Sequence, residues 1–158
     1  MVRRVMLGVA SFALIGLATG ATAQQASQGT AAEAKAMLQK TVTAVKADQA
    51  KALDMIAKGE GGFLDRDLYP FCFNATDGKV HPFPNANAKA GFGTDQRAAK
   101  DAAGKNYGQE MFDAVQKPEG QISEVSYVFS KPGDSQPAPK VSFVTRVGDL
   151  GCAVGYYR

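Results

Sequence analysis

The side chains able to do chemistry fall into three groups. The first is aromatic and alternating. Tyr69, Phe71 and Phe73 take every second position of one segment, and Tyr127 and Phe129 do so in another. On a strand, such residues share a face, which serves as core or as the wall of an apolar pocket. The second group is basic: His81, the only histidine, followed by Pro82; Lys140, which opens a segment after a Pro-rich loop; and Arg97, in an irregular stretch. The third is the pair Cys72 and Cys152, the only cysteines. Catalysis finds no footing among these. The chain has no Ser-His-acid spacing to argue from, no GxSxG, no zinc-like cluster and no phosphate-cradling glycine loop. Glu60, Asp65 and Asp67 cluster beside Gly61-Gly62 and read as a solvated turn. The inventory points to binding, without a cofactor, rather than to an enzyme.

Compartment decides how the cysteines read. Arg3 and Arg4 precede an apolar run from Val5 to Ala18, and Ala21-Thr22-Ala23 fits a signal-peptide cleavage site. Residues 1–23 are therefore expected to be a signal peptide cleaved near Ala23, with the mature chain in the periplasm. An uncleaved anchor is the rival, but the run is short for a bilayer. The chain carries 18 basic and 15 acidic residues. Without Arg3 and Arg4 the balance is 16 against 15, so nucleic acid is not an expected partner. In an oxidising compartment an even cysteine count is read first as a disulfide. Closing the loop between positions 72 and 152 would contribute about 4 kcal/mol on the chain-entropy model. Metal binding or redox exchange is the alternative, although Cys-x-x-Cys is absent.

The elements that must position these residues follow in order. Residues 24–30 read as a flexible polar leader, and 31–158 as one domain. Ala34, Leu38, Val42, Val45, Ala52, Leu53 and Ile56 recur at helical spacing. Thr30 with Glu33 makes a capping box, and Gly59 a stop. One helix over 31–58 would be about 40 Å long. It lies along a sheet or forms a coiled-coil dimer arm, so the chain is expected as a monomer or a weak homodimer. Leu68–Asn74 reads as a strand, Asn74–Gly78 as a turn, and Lys79–Pro82 as a short second strand. An irregular stretch with a turn at Asp101–Lys105 leads to a short helix over Tyr107–Gln116. Ile122–Ser130 alternates as a strand, Lys131–Pro139 is a loop, and a hairpin over 140–158 turns at Gly148–Gly151. The fold class is α+β. A PAS-like five-stranded antiparallel sheet carries the long N-terminal helix on one face and the short helix and loops on the other.

The chain from about Ala31 to Arg158 resembles a single Cache domain of the second type, an extracytoplasmic sensing module. Phe71-Cys-Phe-Asn-Ala-Thr-Asp-Gly-Lys-Val-His-Pro82 is similar to the family's strand, Asp-Gly turn and strand ending in His-Pro. Lys100-Asp-Ala-Ala-Gly-Lys-Asn106 is similar to its turn before the short helix. Val125–Phe129, the Pro-Gly loop, Lys140–Phe143 and Val154–Tyr156 follow in the family's order. The chain departs from it in having no Trp, with Gly151-Cys152 where the family often places one, and in ending at Arg158 without a membrane helix. The resemblance implies that the first and last strands are neighbours, so that Cys72 and Cys152 face each other across one ladder. It also implies a stand-alone small-molecule sensor with its ligand between the sheet and the short helix. Tyr69, Phe71, Phe73, Tyr127 and Phe129 would then be walls or core. His81 would hydrogen-bond across its turn or donate to a ligand carboxylate. Lys140 would pair with an anion or remain a solvated edge charge, and Arg97 is a weaker candidate. A cation beside aromatic walls favours an organic acid. The alternative is a structural module whose helix pairs with a membrane receptor or transporter.

Overall fold

The computed structural model describes residues 28–158. The expected signal peptide and the first part of the leader lie outside the described residues. The end of the leader is fixed in place. Gly29 is buried and its N–H donates to Asp67 Oδ1 at 2.7 Å. Asp67, expected in a solvated turn, is therefore buried beneath it, 6% exposed. Thr30 then caps helix α1, Ala31–Ala47, with the expected box: its hydroxyl accepts from Glu33 N–H, and its own N–H donates to Glu33 Oε2 at 2.7 Å.

The single helix expected over 31–58 is instead two. Asp48 adopts extended backbone (φ −161°, ψ 97°), ends α1 and caps α2, Gln49–Lys58, by accepting from Lys51 N–H at 3.0 Å. An Asp side chain competes for backbone donors in this way, which makes it a poor helix-interior residue and a good cap. The kink lets two short helices follow a twisted sheet where one long rod would leave it. α2 stops at Gly59, in the left-handed conformation (φ 69°) that glycine adopts most readily. The apolar stripe of α1 is spent on the protein's own sheet. Ala34, Leu38 and Val45 are buried, Val42 packs against the same core, and α1 lies on β4 and β3.

That sheet has four antiparallel strands in the order β1-β4-β3-β2: β1 Pro70–Asn74, β2 Ser123–Ser130, β3 Pro137–Val147 and β4 Leu150–Tyr157. The last three form the expected meander, and the first pairs with the last. The fifth strand expected at Lys79–Pro82 is reduced to isolated bridges. His81 N–H reaches Cys72 O and Asn74 N–H reaches Lys79 O, but Pro82 has no N–H to continue, and Val80 pairs with the loop at Gly93–Thr94 instead. β3 conversely starts earlier than expected, inside the Pro-rich loop. The Pro139 carbonyl accepts from Arg158 N–H on the β4 side. Its missing N–H, and that of Pro137, therefore fall where β4 runs out, and cost the ladder nothing.

Strand alternation separates two cores. One face carries Cys72, Phe143, Val147, Leu150, Cys152 and Val154 against α1 and α2. The other carries Tyr69, Phe71, Phe73, Val125, Tyr127, Val144 and Ala153 against the short helix α3, Tyr107–Val115. Cys72 and Cys152 are direct ladder partners with Cα atoms 4.1 Å apart, and they form a disulfide.

Candidate ligand-binding site

A cavity of about 410 Å³ lies between the second face and the segment 83–107. Tyr69, just before β1, Phe71 from β1 and Tyr127 and Phe129 from β2 make its floor; Phe83 and Tyr107 make its roof. Ring stacking holds roof to floor. Tyr107 lies on Tyr127 with centroids 4.3 Å apart and planes 11° apart, and Tyr69 on Phe83 at 5.5 Å and 8°. The roof is anchored by the turn before α3. The Asp101 carboxylate accepts from Ala103 N–H, Lys105 N–H and, across the gap, Val128 N–H of β2. Val80, Thr94, Asp95 and Gln96 close the far end.

Tyr127 exchanges a hydrogen bond with Ser142 Oγ at 2.9 Å. Burial pushes the Tyr107 phenol up to about 12, and the Tyr127 and Tyr157 phenols upward as well. All three stay protonated at neutral pH, and the Tyr157 hydroxyl donates to Ser130 O at 2.8 Å. Among the described residues the Tyr107 hydroxyl has no hydrogen-bond partner, so it is available to a ligand.

Lys140 is the distinctive charge. It is 2% exposed and lies in the interior of β3, on the cavity face. Its Nζ donates to Tyr69 Oη at 2.9 Å and to Tyr157 Oη at 3.3 Å. It also lies over the rings of Tyr69, Tyr157 and Phe129, 4.3, 4.6 and 5.5 Å from their centroids. Two of those rings, Tyr69 and Phe129, face the cavity, so the ammonium is one side chain removed from it. Among the described residues no carboxylate pairs with Lys140. Gly155 on β4 makes room for it, since a Cβ there would strike Lys140 Cε and Ser142 Oγ. Tyr69 Oη also accepts from Asn85 Nδ2 at 2.8 Å. The Asn85 amide is oriented by Asn87 N–H on its oxygen. With two donors already on its oxygen, Tyr69 has its own hydrogen left to give.

The expected site residues divide accordingly. Tyr69, Phe71, Tyr127 and Phe129 line the cavity, and Lys140 stands behind Tyr69. Phe73 does not line it: the ring packs against Phe112 of α3, with centroids 6.5 Å apart, and is fully buried core. His81 is not on the wall either. Val80 takes the cavity side, and alternation turns His81 away. Arg97 is committed to Asp95, with Nε at 2.8 Å from Oδ2, and lies over the Phe112 ring. Expectation missed Phe83, Asn85, Gln96 and Tyr157. Tyr107 had a visible signal, an aromatic opening the apolar side of a helix. Asn85 and Gln96 had none, because their roles depend on where an irregular loop lands.

An antiparallel sheet, helices on both faces and an aromatic cavity under one of them define a class of α+β domain, the PAS-like arrangement. The single Cache domain 2 family model matches residues 18–157, and the chain belongs to that family. Two solved structures share the fold. One is a periplasmic sensor domain of a chemotaxis protein, 20% identical, covering 80% of this chain and 88% of that one with a TM-score of 0.56. The other is a Cache chemosensory domain described for its recognition of carboxylic acids, 21% identical, covering 80% and 86%, also with a TM-score of 0.56. No curated protein matches the chain. Among the described residues no His, Cys, Asp and Glu cluster could hold a metal, and no helix is long and apolar enough to cross a membrane.

Proposed function

We propose that this is an exported, periplasmic, non-catalytic binding module for a small organic acid. The observation that carries the reading is Lys140: a buried ammonium beside an aromatic cavity, held by phenol oxygens and ring faces and, among the described residues, by no carboxylate. Burying a charge is costly unless it is paired. A ligand carboxylate at the Tyr69 end would supply the missing partner through the Tyr69 hydroxyl and the ammonium behind it. The same chemistry is attributed to one structural neighbour, which recognises carboxylic acids. The ligand-bound form would be presented to a membrane receptor or transporter. A thermal-shift and calorimetric screen of the purified full chain against organic acids, with amines as controls, tests this. Acids are expected to raise the melting temperature of the parent, and Lys140→Met to lose binding by at least tenfold. A screen in which no acid binds, or a Lys140→Met variant that binds as well as the parent, would refute it.

A further inference from the structure

The dimensions and the far end of the cavity narrow the class of acid, given the carboxylate-binding reading. The cavity starts at Tyr69 and extends at least to Val80, which bridges to Phe73. The four residue steps from Tyr69 to Phe73 span about 13 Å at about 3.3 Å each. At 410 Å³ the cavity has room for far more than one or two waters. Acetate or propionate placed at Tyr69 would leave most of that space as water against Phe71, Phe83 and Tyr107. Such loosely held water gains from being displaced by apolar surface. The walls also favour flat groups. Roof and floor meet as near-parallel ring pairs, and a flat ring set beside them would extend that stacking.

The far end discriminates against a second charge. Asp95 lines it, its carboxylate held by Arg97 through Nε and Nη2. Gln96, 5% exposed, donates one Nε2 hydrogen to Met111 Sδ and keeps the other together with its acceptor Oε1. Thr94 donates its hydroxyl to Gly91 O at 2.7 Å. Three side chains at this end therefore offer acceptors. A second ligand carboxylate would meet the like charge of Asp95 there, whereas a ring edge or a phenolic hydroxyl would be accommodated. We infer that the ligand is an aromatic monocarboxylic acid, with its carboxylate at Tyr69–Lys140 and its ring against Phe71, Phe83 and Tyr107.

Calorimetry on the full chain with its disulfide intact tests this, using acetate, propionate, succinate, phenylacetate and 4-hydroxyphenylacetate. The two aromatic acids are expected to bind at least tenfold more tightly than acetate, propionate or succinate. Acetate, propionate or succinate binding as tightly as either aromatic acid would overturn the inference and leave the acid-binding reading standing. If no acid binds, both fall. Ala98, an exposed wall residue, supplies a second test. Ala98→Phe should fill the far end and weaken phenylacetate at least tenfold in a variant that melts like the parent. Unchanged phenylacetate affinity in that variant would overturn the placement of the ring.

Discussion

Lys140 shows how one side chain acquires a role from its neighbours. Its charge is ordinary; its surroundings are not. The long aliphatic stem crosses β4 only because Gly155 has no side chain in the way. Gly155→Ala should therefore push the stem against Ser142 and lift the ammonium off Tyr69 and Tyr157. Overpacking of this kind costs about 1–3 kcal/mol. Urea denaturation is expected to show that loss, together with weaker acid binding. Unchanged stability and binding would mean that β4 yields and the cradle is not needed. Alternation along the strands made Tyr69, Phe71, Tyr127 and Phe129 readable as a shared face. It could not say that Phe73, two residues further on, lies beneath α3 rather than beside the cavity. It also placed Lys140 at the start of a strand, where the charge could as well have been solvated.

Among the elements, helix α1 is the best defined by local chemistry. Thr30 and Glu33 cap it, and Arg66 donates to Glu33 Oε1 at 2.7 Å. The Arg66 bond and the capping bonds from Thr30 hold the Glu33 carboxyl at about 2, below its ordinary 4.5. A depressed carboxyl stabilises the fold above its unfolded value and loses that contribution as the pH falls. The parent should thus melt above Glu33→Gln at neutral pH, and the gap should close between pH 4.5 and about 2. Melting curves across that range check it, and a gap independent of pH would refute it. The capping box, the Gly59 stop and the turn at Asp101 were all legible, because caps and turns depend on residues a few positions apart. The break at Asp48 was missed, since the apolar spacing continues through it and only the cap geometry reveals two helices.

At the scale of the molecule, the chain is closed by pairing its first strand with its last. The Cys72–Cys152 disulfide crosses that ladder and joins positions 80 apart. Because β1 is the edge of the sheet, carries Phe71 of the cavity floor and follows directly on Tyr69, the bond secures both fold and site. Replacing both cysteines by alanine should cost about 2–4 kcal/mol. Denaturant unfolding measures this, and a midpoint equal to the parent's would show that the ladder alone suffices. Acid binding should weaken in parallel as β1 loosens.

The sequence by itself determined the α+β class, the meander, the capped first helix, the aromatic faces and the cysteine pair. Each of these follows from spacing, from local backbone chemistry or from a resemblance spread along the chain. Only the tertiary structure decided that the sheet has four strands, that Asp67 and Lys140 are buried, and that His81 and Phe73 stand away from the cavity. Those outcomes depend on where Pro82 stops a ladder, where the loop from Phe83 to Ala99 lands, and which gap a glycine on a neighbouring strand leaves open. Such long-range coincidences carry no periodicity that a reader of the chain could follow.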